Sequence, residues 1–273
     1  MKKILYFILG LLTVFLGILL YSRFIGTTGL VTNEIPISSD IYESYKGLKI
    51  LHFSDLHYKK VITEKRVEEL VDEINRNKPD LVLFTGDLID SDYKITNQDI
   101  NFLVKELSKV KTKYGFYAVM GDQDYSDLDV VKNIYLQSNV TLLRDEVTYI
   151  YNENNDQIAL IGLNSYLKGT NISETTLKVK KDVSYQIAMV HEPDAIYDIF
   201  KQDEQIQFVV AGHSIGGSIR LPLIQKLLLP KGAKEYRAKD FKGRNVYVSN
   251  GIGVNSVNFR LWNCPSINLY RFS

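Results

Sequence analysis

From Gly47 onward the chain repeats one pattern: a short apolar run, a polar residue at its exit, then a stretch with helical spacing. Residues 48–53, 81–84 and 115–120 are strand-length apolar runs. Between and after them, Val67, Leu70, Val71 and Ile74 behind Thr63, then residues 100–107 and 130–136, carry the period of amphipathic helices. This alternation constrains the fold more than any other feature, because parallel strands need crossovers and those crossovers are right-handed. The expected class is α/β with a largely parallel sheet. The second half changes rhythm. Residues 140–143, 147–151 and 157–162 are short strands, with 152–156 as a hairpin turn; 185–190 and 208–211 are buried strands flanking a helix at 195–200, and 247–249 and 267–272 finish the sheet.

Polar groups stand at the exits of these runs: Ser54-Asp55-Leu56-His57, Gly86-Asp87, Gly121-Asp122-Gln123-Asp124 and Gly212-His213-Ser214, with His191 directly after Val190. Ligands gather at the carboxyl ends of parallel strands, and carboxylates with imidazoles at that edge can build a dinuclear metal site. Singly, each has an ordinary structural reading: a helix cap, a turn, a satisfied core histidine. In order, all at strand exits, they point to a metal. Cys264 is the only cysteine, which excludes an intramolecular disulfide and a multi-cysteine zinc site. Metal chemistry therefore rests on Asp, Asn, Glu and the four histidines, of which His52 lies within a strand and reads as structural. The formal net charge of +1 argues against a broad basic face, so no nucleic-acid partner is expected.

The ordered series resembles the calcineurin-like metallophosphoesterases, particularly their bacterial membrane-anchored branch, whose pattern is D-x-H, G-D, G-N-H-D/E, a His after a strand, and G-H-x-H. The resemblance runs from about Gly47 to Phe272; residues 216–222 look like the family's G-G-Q-x-R-L-P, and 249–253 and 260–265 like its closing segment. It implies a four-layer αββα sandwich and metal-dependent hydrolysis of a phosphate mono- or diester, with one or two divalent ions of manganese, zinc or iron. Carried over by position, Asp55 and His57 hold the first metal, Asp87 bridges both, and Asp122, His191 and His213 hold the second. Gln123 and Asp124 fall in the catalytic positions. The chain departs from the pattern at three places. Asp122 stands where the family has Asn, which keeps an oxygen ligand and adds charge. Gln123 replaces a His, which keeps a donor but no proton source. Ile215 replaces the first metal's second His and ligates nothing. Two readings stay open: a hydrolase with an altered site, acting on a phosphorylated small molecule, lipid or envelope precursor, and a catalytically lapsed binding or scaffold module.

The N-terminus predicts an anchor. Lys2 and Lys3 precede an uncharged run, residues 4–21, that would span roughly 27 Å as a helix, close to a hydrocarbon core. A cleaved secretory signal wants a small-residue exit, and Tyr21-Ser22-Arg23-Phe24-Ile25-Gly26 fits that poorly. The expected organisation is an anchor over 1–24, a connector over 25–46 with a strand at 30–35, and a phosphoesterase-like domain over 47–273. Lysines before the run place the domain outside a single-pass cell-membrane anchor, with the bilayer as partner. Residues 221–230 are unusually apolar and read either as a lip dipping into the membrane or as a packed loop.

Overall fold

Alternate residues of the central strands serve two different cores. On β2 (Lys49–Phe53), Ile50 packs between two sheets while Leu51 and Phe53 pack outward; on β3 (Leu81–Phe84), Leu81 and Leu83 face inward, Val82 and Phe84 outward. β8 (Tyr185–Met189) and β9 (Ile206–Ala211) repeat the split: Tyr185, Ile187, Met189, Phe208 and Val210 join the shared core, while Ala188, Val209 and Ala211 face away. A strand buried on both faces must be apolar at nearly every position, so these segments read as continuous apolar runs.

The computed structural model describes the chain apart from residues 1, 171, 177, 181, 184, 203–204, 222–227, 235–238, 241–242 and 255–257. Among the described residues there are two six-stranded sheets. The first joins β1 (Val31–Ile37), β12 (Ser266–Phe272), β2, β3, β4 (Phe116–Ala118) and β5 (Thr141–Leu142), in that order. The second joins β10 (Lys239–Asp240), β11 (Asn245–Val248), β9, β8, β7 (Gln157–Gly162) and β6 (Glu146–Tyr151). Pairing is parallel except at β12–β2, β6–β7 and β10–β11. Helices α2 (Glu64–Asn77), α3 (Asn97–Leu107) and α4 (Leu128–Gln137) cover the first sheet through Val67, Leu103 and Ile134. The short α5 (Ile172–Thr176) and α6 (Ala195–Gln202) cover the second through Ile172, Ile196 and Ile199. The result is the four-layer αββα sandwich.

The strand expected at 30–35 is β1, running parallel to β12 at the sheet edge, and Ile37, Ile41 and Tyr45 behind it enter the inter-sheet core. The turn at 152–156 joins β6 to β7, with Asn155 in the left-handed region and Asn152 N–H donating to Asp156 O. Helix α1 (Lys2–Leu20) buries none of its residues and continues as a π-helical turn, Tyr21–Ile25; together they are long and apolar enough to cross a membrane. Most of the apolar stretch 221–230 lies outside the described residues.

Candidate metal centre

Both sheets send the carboxyl ends of their strands to one place. Asp55 and His57 follow β2, Asp87 follows β3, Asp122 follows β4, His191 follows β8 and His213 follows β9. The sharp exits need unusual backbone: Asp55, His57, Asp87, His213 and Ile215 all have positive φ, between 45° and 61°. Left-handed conformations of non-glycine residues cost ~1–3 kcal/mol each and persist only where the surroundings enforce them. Space is tight as well. A Cβ on Gly212 would lie 1.9 Å from Ser54 Oγ, and one on Gly121 would lie 2.1 Å from Asp87 Oδ1.

Asp55 and Asp87 are each held by one oxygen and present the other. Asp55 Oδ2 accepts from His213 N–H at 3.0 Å, leaving Oδ1 facing His57 Nε2 at 3.7 Å. Asp87 Oδ1 accepts from Gln123 N–H at 3.0 Å, and its Oδ2 lies 3.6 Å from His57 Nε2 and 3.1 Å from His191 Nε2. Asp122 Oδ1 sits 3.4 Å from His191 Nε2 and 3.1 Å from His213 Nδ1. The imidazoles follow the same logic. His191 Nδ1 is against Thr85 O at 2.5 Å, His213 Nε2 is against Lys231 O at 2.8 Å, and His57 Nδ1 faces Asp90 Oδ2 at 3.5 Å. One nitrogen of His191 and of His213 is thereby fixed and the other turned to the centre, the arrangement that orients metal-ligating histidines, while His57 Nδ1 faces the Asp90 carboxylate.

Two groups result: Asp87, Asp122, His191 and His213, and Asp55, His57 and Asp87, in each of which one ligand atom per residue lies within 4.8 Å of the others. Asp87 Oδ2 belongs to both. Asp55 Oδ1, His57 Nε2, Asp87 Oδ2 and Asp122 Oδ1 are buried atoms with no hydrogen-bond partner among the described residues, and His191 Nε2 faces His213 Nδ1 at 3.3 Å. Buried polar atoms are nearly always paired, so convergence of several unpaired ones fits a cation. Mixed carboxylate and imidazole donors suit a divalent transition ion. The Asp122 side chain is 26% exposed and marks the open side of the centre.

Without a cation the field is strongly negative. Burial opposes a charge on His57, yet Asp55, Asp90 and Asp87 outweigh it and lift the pKa to about 10. Burial likewise opposes charge on His191 and His213, and the surrounding carboxylates again prevail and raise both. Asp55 and Asp122 are held low against burial by the imidazoles they face. Burial, then the Asp87 charge, pushes Asp124 up to about 7.

Gln123 and Asp124 stand apart from these six. Asp124 spends both carboxylate oxygens on main-chain N–H groups of Gly121, Asp87 and Leu88, at 2.8 to 2.9 Å. Gln123 Oε1 accepts from Ser91 N–H and Oγ–H at 3.2 and 3.1 Å. Ile215 is buried beside Asp55; a Cβ on Gly251 would lie 3.0 Å from Ile215 Cγ2 and 3.1 Å from Asp55 Cβ. His52 lies between the sheets against Tyr270 Oη and Thr85 Oγ1, and burial lowers its pKa to about 3. Asp90, the carboxylate behind His57, lies outside the motifs that the sequence displays. Its signal was a second acid three residues after Asp87 within the apolar Asp87-Leu88-Ile89-Asp90.

The family model for calcineurin-like phosphoesterase matches residues 48–216, the stretch that carries all six converging side chains. Two Bacillus subtilis (strain 168) proteins named as uncharacterized metallophosphoesterases are similar. YkuE is 27% identical over 255 residues, covering 92% of this chain and 88% of its own. YkoQ is 28% identical over 265 residues, covering 92% and 94%. A Danio rerio protein named transmembrane protein with metallophosphoesterase domain is 25% identical over 250 residues, covering 85% of this chain and 54% of its own.

Proposed function

The chain belongs to the calcineurin-like phosphoesterase family, and from that membership we propose that it hydrolyses phosphate mono- or diesters at a membrane surface, using divalent metal held by Asp55, His57, Asp87, Asp122, His191 and His213. The observation carrying this reading is the position of Asp87 Oδ2 between His57 and His191, shared by both ligand groups. Bound divalent ions supply Lewis-acid polarisation of the phosphoryl oxygens and acidify water. The protein's own residues do the rest. Asp124 grips the Gly86–Asp87 turn to the Gly121 turn and so fixes the bridging carboxylate; it is a positioning residue. Asp90 and Thr85 O set the faces of His57 and His191. The open side at Asp122 admits the ester, and Gln123 beside it donates hydrogen bonds without supplying a proton. Helix α1 with its π-turn would anchor the domain in the bilayer, which leaves the catalytic domain outside by the lysines preceding it.

Purified full-length protein should hydrolyse p-nitrophenyl phosphate or its bis ester when supplied with Mn²⁺. Asp87→Asn should lower that rate by ~10²-fold or more, since even outer-shell changes at metal sites cost ~10–100-fold. Absence of Mn²⁺, Zn²⁺ and Fe²⁺ binding together with absence of turnover would sink the proposal.

Ile215 and the engagement of Gln123 by Ser91 favour a second reading, a lapsed module that binds without turnover. If Asp122→Asn, Gln123→His and Ile215→His together create activity that the parent lacks, the second reading holds; an active parent eliminates it.

A further inference from the structure

The π-helical turn is fixed to the catalytic domain. Arg260 N–H donates to Ser22 O at 2.9 Å, Gly26 lies so close that a Cβ there would stand 2.0 Å from Arg260 O, and the Asn258 amide, with its oxygen turned toward Arg23, would accept from that guanidinium at 2.7 and 3.1 Å. This docking leaves an apolar groove of about 620 Å³, walled on one side by Val14, Ile18 and Tyr21 and on the other by Ile219, Leu221 and Phe259. From Tyr21 back to Val14 the helix rises ~10 Å. Half of a hydrocarbon core is ~15 Å. The domain's side of the groove therefore stands at the depth of a lipid leaflet if the helix spans a bilayer. Trp262, on the same rim, is 64% exposed and holds a left-handed φ of 56°. An exposed indole kept in a strained conformation beside a membrane-length helix is placed as interfacial aromatic anchors are.

Short stretches of chain link the groove to the metal centre. Ile215 packs beside Asp55, and Ile219 lines the groove four residues later, at most ~14 Å away even if fully extended. On the other side, buried Arg260 donates to Gly251 O and Gly253 O, the Gly253 N–H donates to Asp55 O, and Leu261 next to Arg260 is in the groove. An ester at the centre and a hydrocarbon chain in the groove are thus within reach of one lipid molecule.

We propose that the groove seats an acyl chain of the substrate and that the substrate is a membrane lipid phosphate ester, a deepening that rests on the phosphoesterase reading above. Hydrolysis of such an ester breaks the P–O bond to the lipid, forms a P–O bond to the water oxygen and delivers a water proton to the leaving alkoxide. A bilayer lipid is the occupant because the groove opens beside the stretch of helix that lies among acyl chains.

The test uses full-length protein with Mn²⁺ in phosphatidylglycerol–phosphatidylethanolamine vesicles, with phosphatidic acid carrying a diazirine on one long acyl chain. Photolysis should label the segments around Ile219–Leu221 and Phe259–Trp262. Two variants, Phe259→Glu to charge the groove and Ile219→Trp to fill it, should reduce that labelling and slow hydrolysis of dioleoyl phosphatidic acid by ~10-fold, the effect of losing about two buried methylenes. Hydrolysis of dihexanoyl phosphatidic acid and p-nitrophenyl phosphate should be unchanged in both. Labels confined to α1, equal slowing of long and short esters, or photo-crosslinks from the groove to a second copy of the chain would each overturn it. If the parent hydrolyses neither lipid nor p-nitrophenyl phosphate, the phosphoesterase reading fails separately. Labelling of the groove, lost in both variants, would still uphold the acyl-chain site, and its absence would remove it.

Discussion

At the scale of single residues, the centre is defined by what each side chain has left over after its own fold has used it. Asp55 and Asp87 each give one oxygen to a main-chain N–H and keep one for the centre. Ile215 is the exception: it stands where the family pattern has a histidine, holds a left-handed backbone strained for a β-branched residue, and has no donor atom. Ile215→His should therefore raise the bound-metal content measured by plasma mass spectrometry. The histidines give a pH prediction. His57 rises from an ordinary ~6.5 to about 10 in the fold. Its contribution to stability is complete below pH ~6.5 and is lost as pH rises through about 10. His191 and His213 shift in the same direction. Thermal denaturation in chelator should show stability falling across that window, less steeply with Mn²⁺, since a cation takes the place of the protons. Metal uptake near neutral pH should release protons, read by calorimetry in buffers of different ionisation enthalpy.

At the scale of elements, helix starts and strand exits carry the precision. Thr96 caps α3 in a capping box with Asp99, whose carboxylate also takes Lys59 Nζ at 2.9 Å and Tyr58 Oη at 3.3 Å. Thr96→Ala should cost ~1 kcal/mol in urea unfolding. Asp99→Ala should cost more, because it also strips a partner from Lys59 and the buried Tyr58. At the strand exits, Asp124 binds two turns from different strands, so Asp124→Ala should lower metal affinity without removing a ligand. A full loss of folding would instead assign Asp124 to the core.

At the scale of the whole molecule, two sheets packed face to face bring their strand exits to one centre, where three carboxylates lie together in a largely buried space. Removing metal with a chelator should lower the melting temperature, and Mn²⁺ should restore it. The helix is coupled to the same body through Gly26. Gly26→Val should separate the helix exit from Arg260 and expose residues 22–30 to limited proteolysis, while the domain stays folded.

Most strands and helices were legible in the sequence because burial on both faces forces continuous apolar runs and burial on one forces a 3.6-residue stripe. The strand exits with their acids and imidazoles were legible for the same reason: they are the places where such runs stop. Asp90 was not legible, since a carboxylate buried behind a histidine has no periodic signature. The sequence alone determined the layered α/β class, the six side chains to examine and the membrane-length helix. Only the tertiary structure decided that Asp87 Oδ2 stands between His57 and His191, that Asp124 is spent on backbone, and that the helix exit packs against the domain to form a groove. Those facts depend on distances between segments far apart in the chain, which local propensity does not encode and only packing of the two sheets fixes.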